Sequence, residues 1–139
     1  MSIKKKISLK ELIIDKSKIP IIDEKGVLKD ALESMSNHKY GVCFCVNKKS
    51  GKLLGILTDG DIRRKILNVQ KPFSALLNDD LILHINKKPS KVSINISLSA
   101  AVKLMKKKLI WDLPVVNKKN ILVGMLHLHP VVKSFLKKN

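Results

Sequence analysis

Apolar positions along this chain follow a helical spacing, then an extended one, and the succession occurs twice. Leu28, Ala31, Leu32 and Met35 fall on one face of a helix, and Leu98, Ala101, Val102 and Met105 repeat that face seventy positions later. At the same offset Val46-Asn47-Lys48-Lys49 returns as Val116-Asn117-Lys118-Lys119. One residue is then dropped, and Gly55-Ile56-Leu57 returns as Gly124-Met125-Leu126. After each helix, two apolar runs flank a polar turn, the pattern of a hairpin. The runs are Val42–Val46 with Leu53–Leu57, and Leu113–Val116 with Ile121–Leu126. A short extended piece precedes each helix, Ile19-Pro20-Ile21-Ile22 in the first copy and Lys91-Val92-Ser93 in the second. A closing helix follows each hairpin, over Asp61–Leu67 and Val131–Leu136. The unit is β-α-β-β-α, which makes the fold class α+β.

This pattern predicts one module over residues 1–139, with a first repeat at 8–67, a linker at 68–80 and a second repeat at 81–137. Pro72 and the Asn78-Asp79-Asp80 turn signal mark the linker, and Ser97 stands where the second helix needs an N-cap. Residues 1–18, with Leu9, Leu12, Ile13 and Ile14, read as a short amphipathic helix, and Leu81, Ile82 and Ile85 play that part before the second copy. Fewer than about 70 residues seldom bury enough apolar surface to stand alone. The copies are therefore expected to pack face to face about a pseudo-twofold axis, with helices outside and an open cleft between them.

Composition narrows the function classes. The longest uncharged stretch, Asn120–Val132, has thirteen residues, short of the roughly 20 that span a bilayer. No small-residue cleavage site follows the N-terminal lysines, so a signal peptide is not expected and a cytoplasmic location is. The net charge of +17 invites a nucleic-acid reading, because cations neutralise phosphates. Of the 28 basic residues, however, only Arg63 and Arg64 are arginine, and aromatics make up 4% of the chain. Recognition forks and stacking platforms are thus scarce, and the lysines read as solvated surface. Cys43 and Cys45 fall on one face of a strand, a spacing that suits neither a disulfide nor a metal knuckle, and both read as buried thiols.

The polar motif Thr58-Asp59-Gly60-Asp61 follows Gly55-Ile56-Leu57, where a strand meets a helix. A helix start offers free N–H groups and partial positive charge, which suit a phosphate. Asp61 suits the hydroxyls of a ribose, Thr58 a phosphate or sugar, and Gly60 a close backbone approach. The same Thr-x-x-Asp spacing also forms a capping box, a purely structural role, and the two readings are compatible. In the second copy His127 replaces Thr58 and Pro130 replaces Asp61.

A β-α-β-β-α repeat with Gly-apolar-apolar-Thr-x-x-Asp resembles cystathionine β-synthase-type (CBS) domains, which occur in pairs. The resemblance spans about residues 8–137. It implies that Thr58 and Asp61 bind the phosphate and ribose of an adenine nucleotide, and that the second copy lacks an equivalent ribose site. Ile19–Ile22, Gly55–Arg64, Leu113–Val116 and Val123–His129 look like the C-terminal CBS pair of arabinose 5-phosphate isomerases of the pathway to the sugar acid Kdo. That family has Asp where this chain has Pro130, and this sequence holds no counterpart of its catalytic sugar isomerase domain. A similar Thr-Asp-Gly-Asp-Ile-Arg-Arg pair precedes some sugar nucleotidyltransferase domains, the second candidate parent.

The resemblance implies a non-catalytic, ligand-sensing regulatory module. Its expected ligand is a nucleotide or sugar nucleotide, such as an adenine nucleotide or a CMP-sugar, and its expected partners are a second copy and a sugar isomerase domain. The candidate binding residues are Ile22, Gly41, Thr58, Asp59, Gly60, Asp61, His127 and His129. His127 and His129 are expected on one face of a strand end, across the cleft from Thr58 and Asp61. They lack a neighbouring carboxylate in sequence, so no metal site is expected. Tyr40 and Trp111 precede the hairpins as cleft-edge or core residues. An enzyme is not expected, because the chain has no paired acid and base, no P-loop and no nucleophile–His–acid set.

Overall fold

The computed structural model describes residues 8–131. In chain order the elements are α1 (Leu9–Leu12), β1 (Ile14–Asp15), β2 (Ile21–Asp23), α2 (Leu28–His38), β3 (Val42–Val46), β4 (Leu53–Thr58), α3 (Asp59–Asn68), α4 (Phe73–Leu77), β5 (Val92–Ser93), α5 (Leu98–Lys108), β6 (Asp112–Val116) and β7 (Leu122–His127). Single 3-10 turns cover Lys16–Lys18 and Leu81–Leu83. A helical stretch begins at residues 128–131, and the rest of the helix expected over Val131–Leu136 lies outside the described residues.

The two repeats form two sheets, of order β2-β3-β4 and β1-β7-β6-β5. In each, a parallel pair (β2 with β3, β5 with β6) is followed by an antiparallel hairpin (β3 with β4, β6 with β7). Register slips once per hairpin, at Cys45/Val46 and at Val115/Val116. α2 and α5 cover the outer faces, burying Leu28, Ala31, Met35 and Leu98, Ala101, Met105 as the helical spacing predicts. Each helix ends on a left-handed residue seventy positions from its counterpart, Lys39 (φ 62°) and Leu109 (φ 55°). Ser97 caps α5 as expected, its Oγ accepting from the Ala100 N–H at 3.1 Å.

The inner faces meet in a third apolar layer of Ile19, Val42, Phe44, Leu53, Val116, Leu122 and Met125. A pseudo-twofold axis runs through the hairpin turns, where Lys52 pairs with Ile121, its own counterpart in the other repeat. Leu53 N–H donates to Asn120 O at 2.9 Å, and Leu122 N–H donates to Gly51 O at 3.1 Å, the same bond made twice.

The segments ahead of the repeats depart from expectation. Of the helix expected over residues 1–18, residues 1–7 lie outside the described residues, and the rest is not one helix: after α1 the chain turns extended as β1 and then makes a 3-10 turn. β1 pairs antiparallel with β7, so the second sheet has four strands rather than three. The N-terminal segment thus crosses to the second repeat, where Leu9 joins the core beneath α5. The residues ahead of the second repeat cross the other way. Asn86 bridges Ile56 on β4, and Leu76 and Leu81 enter the core beneath α2. Leu76 belongs to α4, a helix inside the stretch expected to be a plain linker. Cys43 and Cys45 are buried and free, and burial pushes their thiols up to about 12 and about 11.

Candidate functional site

The site is built on the junction of β4 and α3. Leu53, Gly55 and Leu57 are buried while the residues between them are only partly so, and the strand delivers Thr58 to the start of α3. The Asp61 N–H donates to Thr58 Oγ1 at 3.2 Å, and the Thr58 N–H donates to Asp61 Oδ2 at 3.0 Å. This capping box satisfies two of the N–H groups that a helix start leaves unpaired. The other oxygen of Asp61 accepts from Arg64 Nη2 at 2.7 Å. Gly41 stands alongside: its carbonyl accepts from the Asp59 N–H at 3.0 Å, and a Cβ there would come within 2.7 Å of Asp59 Oδ2. Glycine at 41 is therefore what lets the Asp59 carboxylate lie across the strand end.

Two hollows meet at this turn. The larger, about 1000 Å³, opens between the repeats. Its first-repeat wall holds Gly41, Thr58, Asp59, Gly60 and Arg63, and its second-repeat wall holds Lys108, Trp111, Asp112 and His127. The smaller, about 320 Å³, lies on the other side of the turn, between Asp61, Arg64 and Lys65 of α3 and the crossing segment His84-Ile85-Asn86. Asn86 borders both. His84 is 8% exposed and is held through Nε2 to Asp79 Oδ2 at 2.9 Å. Asp79 also accepts from Lys71 Nζ at 2.8 and 2.9 Å, and these contacts, Lys71 foremost, hold its carboxyl below the usual range.

The second repeat carries different chemistry at the matching positions. His127 Nδ1 and Asp112 Oδ1 are 2.5 Å apart across the β6–β7 pair, where the first repeat has Thr58 opposite Val42. Burial pushes the Asp112 carboxyl above its usual range, the hydrogen bond and charge of His127 hold it back in part, and the nearby Asp59 carboxylate adds to the rise. The Tyr40 ring meets the His127 ring edge to face, with centroids 5.3 Å apart and planes at 73°.

Of the eight candidate residues, Gly41, Thr58, Asp59, Gly60 and His127 line the cleft, and Asp61 lines the adjoining hollow. Ile22 does not join them: it borders a separate hollow of about 490 Å³ beside the start of α2, with Asp23 and Gly26. His129 also lies apart. The strand stops at His127, so His129 falls in the helical stretch beyond it and is exposed, and the two histidines do not share a strand face. Trp111 is 68% exposed at the cleft. Asp112 was not among the candidates. The signal was available in the repeat alignment, where a carboxylate replaces Val42 at a strand position that is otherwise apolar. Among the described residues no group of three or more His, Cys, Asp or Glu could hold a metal ion, and no helix is long and apolar enough to cross a membrane.

Comparison with known proteins agrees with this architecture. The chain is 30% identical over 126 residues to the uncharacterized protein RP505 of Rickettsia prowazekii, an alignment covering 89% of this chain and 36% of that protein. It is 28% identical over 131 residues to an uncharacterized protein of Chlamydia muridarum, covering 92% of this chain and 39% of the relative. The chain thus spans well under half the length of these relatives. Among solved structures, CBSX2 in complex with AMP superposes with a TM-score of 0.80 at 21% identity, covering 94% of this chain and 97% of that one. A CBS domain-containing protein of unknown function from Bacillus anthracis gives 0.83 at 19% identity, covering 96% and 95%. The family model described as CBS domain matches residues 9–68 and again residues 80–133, and the chain belongs to the CBS-domain family as a tandem pair.

Proposed function

We propose that this CBS pair is a non-catalytic regulatory module that binds a nucleotide or sugar nucleotide at the turn joining β4 to α3. The observation that carries the reading is the meeting of two hollows at that turn. Thr58 and Gly60 face one and Asp61 the other, so a ligand with distinct sugar and phosphate parts finds a polar group on each side. The Arg63 and Lys108 cations stand on opposite walls of the cleft, and neither has an ion-pair partner among the described residues. CBSX2, whose fold this chain shares, is in complex with AMP, which supports an adenine nucleotide among the ligands. The likeness of Gly55–Arg64 and Val123–His129 to arabinose 5-phosphate isomerases supports a sugar isomerase of the Kdo pathway as the regulated enzyme, with a CMP-sugar as the second ligand class.

The module acts as a homodimer in this reading, and ligand occupancy shifts the balance between two arrangements of the repeats that a catalytic partner senses. A thermal-shift screen over adenine and cytidine nucleotides, sugar phosphates and CMP-sugars tests it. A ligand at a hundred times its Kd adds about 2.7 kcal/mol of stability. No shift with any phosphate-bearing compound would sink the binding reading. A shift with sugar phosphates alone would replace nucleotides by simpler ligands.

A further inference from the structure

Two side chains of the second repeat are neither buried by the fold nor matched in the first. Leu109 is 84% exposed and Trp111 is 68% exposed, and seventy positions earlier stand Lys39 and Gly41. Leu109 also holds the left-handed conformation (φ 55°) that closes α5, where a side chain is strained. A polar residue or a glycine would serve the fold as well there. The pair edges an apolar groove of about 290 Å³ between the end of α5 and the helical stretch that follows β7. Met105, Ile110 and Leu128 form its more buried floor, and Lys106 joins Leu109 and Trp111 on its exposed rim.

The charge around the groove is of one sign. From residue 81 onward the sequence has twelve lysines and one carboxylate, Asp112, whereas residues 1–80 have sixteen basic and ten acidic residues. Asp112 is largely buried and paired with His127, so the exposed face of the second repeat has no free carboxylate among the described residues. Lys106, Lys107 and Lys108 are exposed in the last turn of α5 and form no ion pair among the described residues. Their charge suits a helix end, but Leu109 and Trp111 beside them gain nothing from exposure to water. A second copy is a poor occupant, because it brings the same lysines and a net charge of +17 to the contact. Nucleic acid is a poor one too, since this face has lysines and no arginine fork. The concave shape favours inserted side chains over the flat surface of a bilayer.

We propose that this groove docks an acidic segment of a partner protein. The segment is an amphipathic helix whose apolar side chains fill the groove beside Leu109 and Trp111, while its carboxylates meet Lys106, Lys107 and Lys108. Leu109, Ile110 and Trp111 also border the cleft, so the partner sits on a ridge shared with it. Docking itself does not depend on the nucleotide reading.

Trp111 is the only tryptophan of the chain, so its fluorescence reports on the groove. The full chain, free of nucleotide, is titrated with a synthetic helical peptide that carries Leu along one face and Glu elsewhere, and no aromatic residue. The Trp111 emission moves to shorter wavelength and saturates, and added salt weakens the binding. Two control peptides, one with Lys for every Glu and one with Ser for every Leu, leave the emission unchanged. Leu109→Ser and Lys106→Glu each weaken the Glu–Leu peptide about tenfold. Lys39→Glu, the same charge change at the exposed matching end of α2, leaves affinity unaltered. Circular dichroism establishes that the variants are folded; if one is not, the contrast among the three peptides on the wild type decides. No shift with the Glu–Leu peptide, or equal binding of the peptide without Leu, overturns the docking groove. A Lys39→Glu effect as large as that of Lys106→Glu reduces it to attraction by net charge. Tighter binding to phosphatidylcholine vesicles containing phosphatidylglycerol than to the peptide replaces the partner protein by a membrane surface. Emission that shifts with concentration of the chain alone replaces it by a second copy.

Discussion

Gly124 lies against the carbonyl of Ile14, so close that a Cβ at 124 would overlap the Ile14 oxygen. Its counterpart Gly55 lies in the same way against the carbonyl of Asn86. Both glycines are the points at which a segment from outside the repeat crosses over and pairs with its last strand. The crossing can approach only because no side chain intervenes. Gly124→Ala and Gly55→Ala should each cost about 1–3 kcal/mol, since the overlap is with backbone and a whole segment must shift. Urea unfolding measures this, and a loss below about 0.5 kcal/mol at both sites would show that the crossing segments are loosely held.

The repeat, its helix faces and its hairpins were all legible, because each rests on a local period that apolar residues display directly. The crossing was not. Leu9 and Leu81 announce that they are buried, yet nothing in their spacing names the repeat that buries them. β1 has two residues, too few to show alternation, and α4 has five, set between Pro72 and an Asn-Asp-Asp turn that both signal a break. At the site, Thr58 and Asp61 were legible as a capping box and as a ligand motif alike, and the box is present. His127 was legible by comparison of the two copies. Asp112 needed the same comparison one strand earlier. Ile22 lies in β2, within the extended piece the sequence indicated, but borders a separate hollow, and His129 falls beyond the strand because the end of β7 is set by pairing partners far away in sequence.

Asp79 and Asp112, carboxylates shifted in opposite directions, should give stability profiles of opposite sign. Asp79 has a lowered folded pKa, so its stabilisation is present above the unfolded value near 3.9 and is lost as pH falls through the folded one. The gap between wild type and Asp79→Asn should therefore close on acidification. Asp112 has a raised folded pKa, so its favourable contribution is present at low pH and is lost as pH rises through the folded value. Wild type should lose ground to Asp112→Asn as pH rises from 3 to 7. Urea midpoints for the three proteins across that range check both, and parallel curves would mean that neither carboxylate differs between the folded and unfolded states.

Lys39 closes α2 in a left-handed conformation that costs a residue bearing a Cβ about 1–2 kcal/mol, and it is exposed. Glycine is the residue that occupies such a cap without strain. Lys39→Gly should stabilise the protein by about 0.5–1 kcal/mol, and Lys39→Ala, which keeps the strain, should be near neutral. Leu109→Gly tests the matching cap of α5. If Gly and Ala prove equivalent at position 39 in denaturant unfolding, the cap carries no strain.

Asp61 serves the helix and, in the proposed reading, the ligand, so one substitution has two separable consequences. Asp61→Ala removes the return bond of the capping box, a loss of about 0.5–2 kcal/mol in stability. Its ion pair with Arg64, whose side chain is 59% exposed, adds little to that. A ribose bonded to the carboxylate would contribute about 1.5–3 kcal/mol more, which is roughly a ten- to hundredfold loss of nucleotide affinity. Titration on protein shown to be folded separates this from the stability change read by urea. Asp61→Asn sharpens the contrast, because its side-chain oxygen can still cap while the charge is gone. Pro130→Ala, at the matching place in the second repeat, should leave affinity unchanged, since no carboxylate is lost there. Reduced stability with unaltered affinity in Asp61→Ala would leave the motif as a helix cap alone, and a Pro130→Ala effect on affinity as large as that of Asp61→Ala would mean that both repeats contribute a sugar site.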